Sequence, residues 1–285
     1  MAWSNYHTHS HFCDGEGAPE EYVKEAIARG MYALGFSGHS PVPFHNIWNI
    51  QPERLEEYLQ TVRDLKKKYE GQIKLYVSLE IDYIDAVQGI DNFRKYDLDY
   101  YFAGVHFIRQ YADGSYWNFD TDSHEFSKGV NEIFGGDIQK AVETYYYDYK
   151  NMIIQGKPNL LSHLDLIKKF NKNDYFFSED APWYRKIVLE TLDIVKESGA
   201  IMEINTRGVF RKLDKEYYPG NWIIKEALKM NIPVTINADA HHCKQVTSFH
   251  EEVAELLLNT GFTHIHILDE QGWHPVKFDK FGIKI

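Results

Sequence analysis

The chain has 285 residues, 44% of them hydrophobic and 26% charged, which excludes a disordered or collagen-like chain and is enough for a sizeable core. Its 31 Lys and Arg against 42 Asp and Glu leave a formal charge of −11, which disfavours non-specific attraction to nucleic acid or an anionic membrane and suits a small or cationic substrate. Two cysteines, with no apolar leader and no apolar run of membrane-spanning length, predict a cytoplasmic, reduced protein.

Ala2 to His9 reads as a first strand, whose alternation sends His7 and His9 to one face at its C-terminal end, where they can grip one ion together. Asp14-Gly15 then reads as a turn, with Gly15 free to take φ > 0 and Asp14 free to aim its carboxylate back at the histidines. Pro19 to Arg29 is predicted as a helix stopped by Gly30, and Ala33 to Gly38 as a buried strand delivering His39 and Ser40. Pro52 to Glu70 is a second helix, closed by Gly71. Ile73 to Asp82 should be a strand carrying Glu80, a carboxylate that needs an ion or a partner inside such an apolar run. Tyr100 to Phe107 is another strand, ending near His106. Residues 108–136 form the longest irregular region, with Tyr116, Trp117 and Phe119 as candidate walls of a substrate cavity.

Further along, Asp137 to Gln155 reads as a long helix, Asn159 to His163 as a short strand and Pro182 to Ser198 as a helix. Ala200 to Asn205 is a strand that hands over to Thr206-Arg207-Gly208. Asn221 to Met230 is helical, and Pro233 to Asn237 is a strand leading to Asp239 and His241. Ser248 with Glu251 reads as a capping box opening the last helix, and Thr263 to Leu268 as a final edge strand.

Strand and helix patterns alternate about seven times, which argues for α/β architecture with a parallel sheet, either a barrel or an open doubly wound sheet. At this length one barrel domain spanning 1–285 is expected. His7 and His9, His39, Glu80, His106, His163, Arg207, and Asp239 with His241 each fall at or near the C-terminal end of a different predicted strand. That is the end where barrel enzymes build active sites. His250, His264, His266 and His274 lack such placement and read as structural.

With these residues in hand, the chain resembles the polymerase and histidinol phosphatase (PHP) superfamily, and within it the monofunctional histidinol-phosphatases. The resemblance runs from end to end. It is carried by His7-Thr8-His9 with Asp14-Gly15, Gly38-His39-Ser40-Pro41, Glu80-Ile81-Asp82-Tyr83, Gly104-Val105-His106-Phe107, Ser162-His163-Leu164-Asp165 and Asp239-Ala240-His241. It implies a distorted (β/α)7 barrel with three divalent metals at the C-terminal ends of the strands. A first metal would be held by His7, His9, Glu80 and Asp239, a second by Glu80, His106 and His163, and a third by Asp14, His39 and His241. Some relatives carry His where this chain has Asp14. Zn, Fe and Mn all suit such a mixed set of imidazoles and carboxylates.

The implied activity is hydrolysis of L-histidinol phosphate to L-histidinol and phosphate in histidine biosynthesis, by attack of a hydroxide bridging two metals about 3.5 to 4 Å apart. Arg207 is the candidate to fork two phosphate oxygens, and Ser40 to add a hydroxyl donor. Asp239 or His241 would protonate the departing alkoxide. Phe44, Trp48 and Trp117 are candidate walls for the imidazole and ammonium end. The alternatives are a PHP-type phosphoesterase or nuclease acting on another substrate, an amidohydrolase-like barrel, and a metal-binding protein without turnover.

Overall fold

The computed structural model describes residues 2–210 and 217–285; of the expected single span 1–285, residues 1 and 211–216 lie outside the described residues. In chain order the strands are β1 (Ser4–Asn5), β2 (Ala33–Phe36), β3 (Lys74–Val77), β4 (Glu80–Asp82), β5 (Phe102–Gly104), β6 (Phe107–Gln110) and β7 (Tyr116–Asn118). They continue with β8 (Leu160–Leu161), β9 (Ile201–Asn205), β10 (Val234–Asn237), β11 (His264–Asp269), β12 (Gly272–Asp279) and β13 (Gly282–Ile283). The helices are α1 (Pro19–Ala28), α2 (Leu55–Lys68), α3 (Ser123–Phe134), α4 (Ile138–Gly156), α5 (Pro182–Ser198), α6 (Arg207–Phe210), α7 (Asn221–Lys229) and α8 (His250–Thr260).

The fold is α/β, with parallel strands in two sheets ordered β1-β2-β3 and β10-β9-β8-β5-β4. They are not one continuous hydrogen-bonded barrel; isolated parallel bridges, His39 with Glu80 and Thr8 with Ala240, link their edges. Burial follows the 3.6-residue period: Tyr22, Val23 and Ala26 of α1, Tyr58, Leu59 and Val62 of α2, and Val188, Leu192 and Val195 of α5 face the core. Each valine or leucine buried this way contributes roughly 1.5–3 kcal/mol. No helix among the described residues is long and apolar enough to cross a membrane.

Several local expectations need correction. The single strand expected over Ile73 to Asp82 is two, because at Ser78 the chain leaves β2 for β5. Ser78 N donates to Phe36 O at 2.8 Å, while its Oγ donates to Tyr100 O at 2.7 Å. The region expected to be irregular, residues 108–136, holds the rest of the β6-β7 hairpin and α3, whose first turn is capped by Asp122 Oδ1 accepting from His124 N and Glu125 N, both at 2.8 Å. Trp117 and Phe119 are fully buried there and do not line the cavity at the strand ends. Trp117 lies so close over Gly129 that a Cβ on that residue would fall 2.1 Å from the indole Cε2. Tyr116 stacks on Phe44, which in turn packs on Phe107.

The Ser248–Glu251 capping box does not form: α8 starts at His250 after Phe249 at φ 59°, with no side-chain cap, and Ser248 O accepts from Thr206 Oγ1. Past the expected last strand, β12 pairs antiparallel with both β11 and β13.

Candidate metal centre

Most of the chemistry-bearing residues singled out above follow a short parallel strand by a few positions, because each strand stops and the chain turns there; Glu80, which opens β4, and Asp14, in the turn beyond β1, are the exceptions. His7 and His9 flank Thr8, which bridges Ala240 beyond β10. His39 lies past the end of β2, and Glu80 opens β4. His106 and His163 follow β5 and β8 by two residues, and Arg207 begins α6 after β9. Asp239 takes φ 51°, a left-handed conformation that an Asp tolerates better than most residues.

Four side chains surround one point. His7 Nε2 lies 3.0 Å from Glu80 Oε2 and 3.5 Å from Asp239 Oδ1; His9 Nε2 lies 3.4 Å and 3.3 Å from the same two oxygens. Glu80 turns its other oxygen, Oε1, to His163 Nε2 at 3.0 Å and His106 Nε2 at 3.7 Å, and those two nitrogens are 3.1 Å apart. Glu80 therefore divides its carboxylate between two clusters. Ser162 Oγ donates to Oε1 at 2.5 Å and fixes that division. In the third set, Asp14 Oδ2 lies 2.9 Å from His241 Nε2 but 3.9 Å from His39 Nε2, and Asp14 Oδ1 lies 3.3 Å from His9 Nδ1. The compact trio there is His9, Asp14 and His241. His39 Nδ1 leans toward Glu80 Oε2, at 3.4 Å.

This donor set fits divalent cations. His9 Nε2 and Asp239 Oδ1 are buried and, among the described residues, have no hydrogen-bond partner, which a neutral packing role would not tolerate. Burial opposes charge on His7, yet the carboxylates of Asp239, Glu80 and Glu203 outweigh it and push its pKa up to about 10. Burial also opposes charge on His106, and Asp82 with Glu80 pushes its pKa up to about 9. Burial opposes charge on Glu80 and Asp239, yet both are held well below the usual carboxylate range, with His7 the largest opposing influence on each. Ionised carboxylates packed among buried imidazoles are the charge arrangement that a divalent cation would satisfy in place of those protons.

Residues 5–207 match the PHP domain family. The chain belongs to the PHP family. This PHP chain is 29% identical to the histidinol-phosphatase of Bacillus subtilis over 87% of its own length and 97% of the relative's. It superposes on a solved structure from Listeria monocytogenes with a TM-score of 0.75 at 22% identity, covering 87% of this chain and 99% of the other. A second structure, the histidinol phosphate phosphatase of Lactococcus lactis complexed with zinc, L-histidinol and phosphate, matches with a TM-score of 0.63 at 20% identity over 99% of each chain.

Around these side chains lies a cavity of about 210 Å³, whose lining includes Trp48, Asp120, Lys169, Arg207, Asp239 and His241. Arg207 Nη1 donates to Asp239 O at 3.1 Å. Ser40 does not line this cavity. It is fully buried away from that lining, where its Oγ accepts from Asp82 N at 3.2 Å and Gln88 Nε2 at 3.3 Å, so its hydroxyl is not placed to reach a phosphate in the cavity. Phe44 and Trp117 are absent from the lining; Trp48 is present.

Behind these histidines lie carboxylates that the sequence does not single out. Asp82 Oδ1 lies 2.6 Å from His106 Nδ1, and Asp82 Oδ2 accepts from Asn49 Nδ2 at 2.6 Å. Glu203 meets His7 Nδ1 at 3.0 Å. A carboxylate inside the apolar run of β9 was a usable signal, the same one that marked Glu80. Asp120 and Lys169, 3.1 Å apart on the cavity wall, carried no such local signal. Cys13 and Cys243 are free thiols.

Proposed function

We propose that this PHP-family chain is a metal-dependent phosphomonoesterase that hydrolyses L-histidinol phosphate to L-histidinol and phosphate. The observation that carries the reading is the division of Glu80 between His7, His9 and Asp239 on one side and His106 and His163 on the other, with curated relatives named histidinol-phosphatase. His7, His9, Glu80 and Asp239 hold a first ion, Glu80, His106 and His163 a second, and Asp14, His39 and His241 a third; zinc is the first choice, given the relative complexed with it. Such ions supply electrophilic pull on phosphate oxygens and make water acidic enough to act as a nucleophile near neutral pH.

The chain's own groups do the rest. Arg207, anchored on Asp239 O, forks two phosphate oxygens and stabilises charge developing in the transition state. His241, with Nδ1 3.0 Å from Asp239 O, delivers a proton to the departing alkoxide; Asp239, held ionised beside His7, has none to give. Trp48 offers an aromatic face and Asp120 a negative wall to the imidazole and ammonium end. The architecture is a distorted (β/α)7 barrel in a single domain; the Thr8–Ala240 and His39–Glu80 bridges between the two sheets support it. The partner is a small molecule in the cytoplasm, and the charge of −11 argues against nucleic acid or a membrane.

The test compares phosphate release from L-histidinol phosphate with release from a panel of other phosphomonoesters. A clear preference in kcat/KM for histidinol phosphate is expected. Equal rates across the panel would leave a general phosphoesterase.

A further inference from the structure

Glu203 is the middle residue of β9 and is fully buried. Its two oxygens meet four donors from four segments of the chain. Oε2 faces His7 Nδ1 at 3.0 Å and accepts from Asn237 Nδ2 at 2.9 Å. Oε1 accepts from the backbone N of His163 at 2.8 Å and from Asn205 Nδ2 at 2.9 Å. The same Asn205 nitrogen donates to Asp239 Oδ2 at 3.1 Å. One carboxylate thus touches ligands of both inner clusters: His7 by its ring and His163 by its main chain, with Asp239 reached through Asn205. Among the described residues its single ionic contact is His7, so no Lys or Arg balances it. A carboxylate buried this deeply is costly unless a positive charge lies within reach, and the nearest place for one is beyond the far nitrogen of His7.

We propose that Glu203 is a positioning residue that couples the two inner metal sites. Holding His7 by Nδ1 leaves Nε2 to face the first metal, and holding His163 by its backbone sets that ligand against the second. This rests on the metal reading given above. Carboxylates placed behind ligating histidines fix ring orientation and raise ligand basicity, and their loss commonly weakens metal affinity about 10- to 100-fold. Here one such group serves two sites, so both affinities should fall together.

Glu203→Gln is the sharpest probe. Its amide nitrogen confronts a donor whichever way it turns: His163 N and Asn205 Nδ2 on one side, Asn237 Nδ2 on the other. Protein stripped of metal is titrated with zinc against a chromophoric chelator, giving the number of ions and the affinity of each. Thermal unfolding of the stripped forms reports folding, and the visible absorption of the cobalt(II)-substituted forms reports ligand geometry. Wild type should take up both inner ions. Glu203→Gln should bind both about 10- to 100-fold more weakly with an altered cobalt spectrum, and Glu203→Asp, which keeps the charge at shorter reach, should fall between. If Glu203→Gln does not fold, Glu203→Asp carries the comparison. A folded variant that titrates like wild type, or that weakens one inner ion alone, overturns the coupling. Wild-type protein that takes up no zinc overturns the metal reading, and this inference with it.

Discussion

Arg207 is the cation on the cavity wall that reaches a ligand's backbone, and its worth lies in shape as well as charge. Arg207→Ala should lower kcat/KM by about 10²–10³-fold, as for other groups that stabilise charge at the transition state. Arg207→Lys should recover only part, because a point charge cannot fork two oxygens. Unchanged kinetics in both variants would remove Arg207 from the reaction. Far from the metals, His250 sets a pH limit on stability. It is 1% exposed, edge-on to Trp3, and burial pushes its pKa down to about 4 even though both ring nitrogens face backbone oxygens of Ser4 and Ser248. The unfolded chain takes up a proton near pH 6.5 that the folded chain refuses until about pH 4. Stability from this residue is therefore complete above pH 6.5 and is lost as pH falls through that window, on the order of 3 kcal/mol in all. Denaturant unfolding of His250→Gln between pH 7 and 4.5 should show a flatter acid slope than wild type. Parallel slopes would assign the acid sensitivity to other groups.

The turn after β1 carries Asp14, and it closes so tightly that a Cβ on Gly15 would fall 2.4 Å from Ser10 N. A left-handed φ is what the sequence suggests for Gly15, but Gly15 is not among the positive-φ glycines, and the turn needs it for space. Gly15→Ala should cost about 1–3 kcal/mol of stability, as forced overpacking does, and should displace Asp14 from His241. A thermal midpoint equal to wild type would show that the turn can relax. The same contrast explains what was legible. His7, Glu80, His106 and His163 could be read because a polar, metal-binding side chain at the end of an apolar run is a local signal. Glu203 gave half of that signal, but its partner His7 lies 196 positions away and only folding joins them. The β6-β7 hairpin and α3 were hidden because a segment rich in aromatics and glycine reads as loop, whereas Trp117 packing onto Gly129 makes it core. Ser40 followed a histidine in a recognisable motif, yet local sequence does not tell a hydroxyl facing the cavity from one bonded to Asp82 N.

Across the molecule, two parallel sheets bring strand ends from all three thirds of the chain to one cavity, and the acids and imidazoles gathered there satisfy one another only in part. On the proposed metal reading, ions bound there should add to both stability and activity. Removal of metal by a chelator should lower the thermal midpoint, and readdition should restore it. The most direct measurement is phosphate release from L-histidinol phosphate by chelator-stripped protein before and after zinc is returned. The account predicts negligible release from the stripped protein and recovery of activity in step with occupancy of the two inner sites. Full activity in the stripped protein, or none after both sites are filled, would contradict it.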